Sequence, residues 1–331
     1  MRARPKDFGL LPYIRGMKSG LEEDGRLRWL DGASIVAHGV RVGIRTNKPA
    51  FMDKLFDVIP GIWKPSPVPV VDRLYSLRVN TPRIRTDGRA RHQLYEDLQR
   101  VANSDDLDSV LETFERQLKM YLAEMARRRV FVHAGAVGWQ GRAIIIPGRS
   151  LSGKTSLVAE LVRAGATYYS DEYAVLDSHG RVHPYPTPLG VRGPGAFKQK
   201  KCSVEEFGGD VGTRPLPVGL VVVSQYKAGE RWRPRRLSAG HAMLELLANT
   251  IPARRRPEAV ISVLQKVVSE ALVLKCLRGE ADDTSRLILK AETKSLLISH
   301  NQVLNSNLPW KKGEQNGEYK LQRSGASCPA R

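Results

Sequence analysis

The chain has 331 residues, 41% of them hydrophobic, enough for a sizeable core and about two domains. A formal charge of +19 reads either as nucleic-acid binding or as an Arg-rich proteome with an anionic ligand or acidic partner. The basic residues are spread out, with only short clusters such as Arg127-Arg128-Arg129 and Arg254-Arg255-Arg256, and no zinc-finger, RNP or basic-zipper pattern accompanies them, which argues against nucleic acid as the partner. No run of about eighteen apolar residues occurs, which excludes a helical membrane span, and the basic start MRARPKDFGLLPYIRG lacks the apolar stretch of a secretory signal. The three cysteines, Cys202, Cys276 and Cys328, are far apart and form neither a metal spacing nor a disulfide framework, so a reducing cytoplasm fits best.

Residues 1–20 read as a loosely structured lead-in. Ala33-Ser34-Ile35-Val36-Ala37 and Val40-Arg41-Val42-Gly43-Ile44 flank His38-Gly39 and predict a hairpin, with Val40, Val42 and Ile44 on the buried face. Residues 60–69 (PGIWKPSPVP) read as a surface loop with no regular element, residues 73–79 as a strand, and Thr86-Asp87-Gly88-Arg89 as a turn. Residues 105–126 predict the clearest helix: Leu107, Val110, Leu111, Phe114, Leu118, Tyr121, Leu122 and Met125 share one stripe. Ser104 or Asp105 is placed to cap it, and Arg127-Arg128-Arg129 to meet its dipole in the last turn.

Val130-Phe131-Val132-His133 opens a strand that residues 138–141 turn back into Ala143-Ile144-Ile145-Ile146. A helix is expected over 156–164, a strand at Thr167-Tyr168-Tyr169, and a hairpin about Ser178-His179-Gly180. Residues 184–194 read as an ordered irregular loop, 216–224 as an apolar strand, and 238–248 and 256–276 as helices. Residues 301–331 are polar and read as a mobile tail. The expected organisation is a small N-terminal α+β domain (1–104), a connecting amphipathic helix (105–129), a phosphate-loop core (130–295) and a flexible tail (296–331). The fold class is mixed α/β.

Between the Ile144–Ile146 run and the helix lies Gly148-Arg149-Ser150-Leu151-Ser152-Gly153-Lys154-Thr155, a full match to G-x-x-x-x-G-K-[ST]. Strand, glycine loop and helix is the context a phosphate-binding loop needs. The glycines let backbone N–H groups turn toward phosphate oxygens, and the helix start and Lys154 add positive charge. The Thr155 hydroxyl is placed to ligate Mg²⁺. The plainer alternative is a glycine-rich turn between a strand and a helix.

Phosphoryl transfer needs a carboxylate as well. Asp171 and Glu172 follow the next strand and are the candidates for the base and the metal. Neighbours on a strand face opposite ways, so a turn is required there if both are to reach the loop; the alternative is a solvated acidic turn. His133, on the strand before the loop, is either a site residue or a satisfied core histidine. Arg149 either meets phosphate or is exposed. Arg192 is a candidate phosphate clamp or a surface arginine.

The ordered set formed by His133 in VHAGAVGWQGRAIIIPG, the loop RSLSGKT, the helix SLVAELVRAGATYY and the acidic pair in SDEYAVLD resembles the catalytic domain of the HPr kinase/phosphorylase family and its relatives. The match covers about fifty residues well and continues loosely through HPYPTPLGVR. The resemblance implies a P-loop kinase core with a mixed sheet, ATP and Mg²⁺ as cofactors, Asp171 as general base, Glu172 and Thr155 serving the metal, and His133 supporting the acids. Members of the family form hexamers, so a homo-oligomer is also implied. The pair is Asp-Glu here rather than Asp-Asp. The family's Arg-x-x-Gly signature with its following glutamate has no counterpart beyond Val191-Arg192-Gly193-Pro194. The expectation is therefore an ATP-dependent kinase that phosphorylates a serine-type hydroxyl on a peptide, protein or small molecule. The rivals are a non-catalytic ATP-binding regulatory module and an NTPase acting with nucleic acid.

Overall fold

The alternating strands of the first hundred residues build a six-stranded sheet. In the computed structural model, residues 11–14, 29–59, 62–80, 91–149, 152–191 and 200–306 are described, with side chains to 298. Strand β1 (Tyr13–Ile14) stands apart from the sheet, pairing in parallel with β5 (Val70–Val71). β2 (Asp31–Ala37) and β3 (Val40–Thr46) form the expected hairpin, turning through His38 and Gly39, both at positive φ. A short helix, α1 (Met52–Asp57), follows. β4 (Trp63–Ser66) pairs antiparallel with β2, so the proline-rich stretch read as irregular holds an edge strand. Pro65 is tolerated there because an edge needs hydrogen bonds on one side only. β6 (Arg73–Arg78), β7 (His92–Glu96) and β8 (Gln99–Ser104) complete the order β4-β2-β3-β6-β7-β8. The expected turn at Thr86–Arg89 lies outside the described residues.

Helix α2 (Leu107–Met125) closes this sheet. Val110, Leu111, Phe114, Leu118, Tyr121 and Leu122 are buried with Ile35, Ile44, Tyr75 and Leu94 in one cluster. The helix is thus part of the N-terminal core as well as a connection. Its cap is Asp106, not Ser104 or Asp105: the Asp106 carboxylate accepts from the N–H groups of Asp108 and Ser109. Arg127, Arg128 and Arg129 lie beyond the last turn, which carries no basic residue.

The second sheet is mixed. β9 (Val130–Trp139) pairs antiparallel with β10 (Arg142–Pro147) across a turn at Gln140 and Gly141, both at positive φ. The other edge of β9 takes β11 (Thr167–Ser170) and β12 (Tyr173–Leu176). β13 (Arg181–His183) links β12 to β16 (Leu216–Tyr226), and β16 returns to β10 in parallel, so the sheet closes a ring. β18 (Leu272–Arg278) adds in parallel to β16, and β17 (Arg235–Arg236) forms the edge. A small hairpin, β14 (Leu189–Val191) with β15 (Lys200–Cys202), stands apart.

α3 (Lys154–Arg163) and α6 (Ala281–Ser306) cover one face with Leu157, Val158, Leu161, Ile288 and Leu289. α4 (Ala239–Leu247) and α5 (Pro257–Glu270) cover the other with Ala242, Leu246, Val260 and Leu264. α3 approaches β9 closely at Gly135, where a Cβ would lie 2.5 Å from Val158 Cγ2. Two expectations are corrected. The helix read over 256–276 ends at Glu270 and the chain continues as β18, because Val273 and Leu274 fill sheet positions between the two helical layers. Helix α6 runs on to Ser306, past 296 where a tail was expected; residues 307–331 lie outside the described residues.

Candidate active site

The glycine loop leaves β10 beside the parallel strand β16, and α3 begins at Lys154. Its entry is tied to β9, since the Gly148 N–H donates to the His133 carbonyl at 3.2 Å. Gly153 caps α3 at φ 81°, a left-handed conformation that favours glycine. The Lys154 ammonium folds back over the loop and donates to the carbonyls of Gly148 at 2.7 Å and Arg149 at 2.8 Å. It is only 7% exposed. Burial lowers its pKa to about 8, with Asp171 and Glu172 opposing that shift. The Arg149 side chain is exposed, so it is the Arg149 carbonyl that belongs to the site. Ser150 and Leu151 lie outside the described residues. The Ser152 hydroxyl is enclosed inside the loop with no partner among the described residues.

A second cation braces the loop. Arg278, at the end of β18 and 2% exposed, donates from Nη2 to the Gly153 carbonyl at 2.8 Å and from Nη1 to the Gly279 carbonyl at 3.0 Å. Sequence reading missed it; the only signal was its place at the end of an apolar run that also reads as helix.

Asp171 and Glu172 sit in the bend between β11 and β12. The Ser170 hydroxyl accepts from the N–H groups of both Glu172 and Tyr173 and so fixes that bend. The turn defeats strand alternation, and both acids line one cavity of about 440 Å³ with His133, Lys154 and Thr155.

The acids nevertheless have different partners. Asp171 Oδ2 accepts from the Thr155 hydroxyl at 3.2 Å. Its Oδ1 lies 3.1 Å from the Tyr168 hydroxyl, which takes the Asp171 N–H and donates to the Thr187 carbonyl at 2.7 Å. Burial raises the Asp171 pKa above the ordinary carboxylate value, against the opposing hydrogen bonds from Tyr168 and Thr155. Glu172 turns toward α2, where Lys119 Nζ meets its Oε2 at 2.7 Å. Lys119 also pairs with Glu115 at 3.0 Å, and Glu115 with Lys201 of β15 at 2.6 Å. Burial lowers the pKa of Lys119, but Glu172 and Glu115 outweigh it and leave the value raised. This four-charge chain was not anticipated, because Glu115 and Lys119 lie outside the apolar stripe by which the helix is recognised.

His133 is half-buried, lines the same cavity and has its pKa lowered to about 4 by burial and then by Lys154, so its ring is neutral at pH 7. Its ring lies 6.0 Å from that of Tyr173, and among the described residues no hydrogen bond joins it to either acid. Its backbone carbonyl, not its ring, makes the contact to the loop. Arg192 lies outside the described residues.

The Thr155 hydroxyl and the Glu172 carboxylate line one cavity and offer oxygen donors only, a set that suits a hard cation completed by phosphate and water, and the orphaned Ser152 hydroxyl fits a phosphate oxygen. Among the described residues no cluster of three His, Cys, Asp or Glu side chains forms a preassembled metal cage. No described helix is long and apolar enough to cross a membrane. No protein-family profile matches the chain, and no curated protein matches it.

Proposed function

We propose that the protein is a P-loop kinase of the HPr-kinase-like type that transfers the terminal phosphoryl group of ATP to a serine-type hydroxyl. The observation that carries this reading is the bond from the Thr155 hydroxyl to the Asp171 carboxylate, which joins a candidate base to the phosphate loop within one cavity. In this reading phosphate oxygens replace the Gly148 and Arg149 carbonyls as acceptors for Lys154, and the loop N–H groups and the start of α3 hold the remaining phosphate charge. Thr155 and Glu172 would hold Mg²⁺, which supplies charge neutralisation on the phosphates when bound. Asp171, made more basic by burial, takes the acceptor's hydroxyl proton as that oxygen attacks in line. His133, neutral, serves as wall and hydrogen-bonding group beside the acids. Most of the rate would come from positioning.

The test is incubation of the protein with γ-labelled ATP, Mg²⁺ and a pool of metabolites and peptides. The expected result is a labelled hydroxyl ester that depends on Mg²⁺ and is absent with Lys154→Ala. Bound nucleotide with no labelled acceptor would instead favour a regulatory ATP-binding module, the reading supported by the engagement of Glu172 with Lys119.

A further inference from the structure

Part of the cavity wall does not come from the strand–loop–helix unit. It comes from α2 of the N-terminal domain, through Glu115 and Lys119, and from β15, through Lys201. Neither element contributes a residue to the glycine loop. Yet Glu115 and Lys119 are each only 13% exposed and hold their charges inside the cavity. Burial of the Glu115–Lys119 pair is weak ground for a stability role, and both side chains line the cavity.

Resting, the chain balances: two lysines face the two carboxylates Glu115 and Glu172. Glu172 is the more open acid of the two, at 31% exposed, and is the one beside Asp171. When Glu172 turns to the metal–nucleotide, Lys119 and Lys201 share Glu115 alone. Lys119, the buried ammonium, then keeps only Glu115, which it shares with the exposed Lys201, so the three groups carry one uncompensated positive charge for an incoming anion to meet.

We propose that Glu115, Lys119 and Lys201 form the acceptor subsite, and that it selects acceptors carrying a carboxylate or phosphate close to the hydroxyl to be phosphorylated. The inference rests on the kinase reading of the same cavity. Glu115 is the fixed counter-charge that keeps the two ammonium groups together. Lys119 binds the acceptor's anion and is the switch, since it is released by Glu172. Lys201, 56% exposed at the rim, is the outer contact. Acceptor binding is therefore ordered: the subsite gains its positive charge only after the metal–nucleotide is in place. The N-terminal domain contributes the selectivity of a reaction carried out by the second sheet.

The test is calorimetric titration of the full chain with two probes, inorganic phosphate and malonate. It is done with the phosphate loop saturated by Mg²⁺ and a non-hydrolysable ATP analogue, and again with the analogue but no Mg²⁺. The expected result is anion binding in the first condition that weakens about tenfold without Mg²⁺ and about tenfold in Lys119→Gln. Lys201→Gln, at an exposed position that leaves the fold intact, is expected to weaken it about threefold. The tighter probe names the acceptor's anionic group. Analogue binding with no anion binding, or anion binding unchanged in both variants, overturns the subsite alone. Failure of the analogue to bind overturns the kinase reading and the subsite with it.

Discussion

The Thr155 hydroxyl donates to Asp171 Oδ2 at 3.2 Å, so the last residue of the glycine loop and the acid after β11 are hydrogen-bonded across sixteen positions of sequence. The bond depends on two local devices. Gly153 accepts the left-handed conformation that starts α3 at Lys154, and Ser170 fixes the bend that turns Asp171 inward. Neither device belongs to the proposed chemistry, yet each sets where one of its groups lies.

Burial of the Lys154 ammonium costs the fold stability. Its pKa falls to about 8 from 10.5, so between those values the unfolded chain binds the extra proton and stability rises with pH. Below pH 8 both states are protonated and the full cost, up to ~3 kcal/mol, is present. Lys154→Met is expected to abolish nucleotide binding. It is also expected to lose this rise, so that wild type gains on the variant as pH climbs from 8 to 10.5. Denaturant midpoints of both proteins across that range measure it. A constant difference would mean the lysine is already solvated in the native state.

Tyr168 orients the carboxylate proposed as the base. Its hydroxyl takes the Asp171 N–H and donates to the Thr187 carbonyl, and the ring is fully buried. Tyr168→Phe leaves both backbone groups short of a partner, for ~1–3 kcal/mol of stability. The expected kinetic signature is a lower kcat with nucleotide affinity kept, since no nucleotide-binding residue is removed. Equal kcat in the variant would show that Asp171 is held without this hydroxyl.

Glu292 of α6 is 1% exposed, lies against Gly219 of β16 and is 3.4 Å from Arg142 Nε. Burial, opposed by Arg142, raises its pKa to about 7 from 4.5. The native state then holds the proton more tightly, so the contribution of Glu292 to stability is fully present below pH 4.5 and is lost as pH rises to 7. Glu292→Gln is expected to remove that decline, seen as melting temperatures that vary less from pH 4.5 to 7 than those of wild type. An unchanged profile would assign the pH dependence elsewhere.

The glycine loop, the β2–β3 and β9–β10 hairpins and the stripe on α2 were legible because each follows from a local rule: a motif, a turn pair or a helical period. β18 was not, because LVLKCLR follows α5 with no glycine or proline between them, and only pairing with β16 makes it a strand. β7 and β8 were missed too; their turn uses Asp97 at positive φ rather than glycine. At the site, Asp171 and Thr155 were recoverable from spacing. Lys119, Lys201 and Arg278 were not, because they arrive from a helix read as packing, from a two-strand hairpin and from the misread β18. Side chains brought in by tertiary approach leave no local pattern.

The central claim is that Asp171 is the base of a phosphoryl transfer rather than a structural partner of Thr155. Asp171→Asn keeps the size and the acceptor oxygen for Thr155 but removes the basicity. The direct measurement is nucleotide affinity and phosphoryl transfer on the same preparation of this variant. Affinity within about threefold of wild type, with transfer reduced by about 10²–10⁴, is the predicted result. Transfer at the wild-type rate in the Asn variant would contradict it.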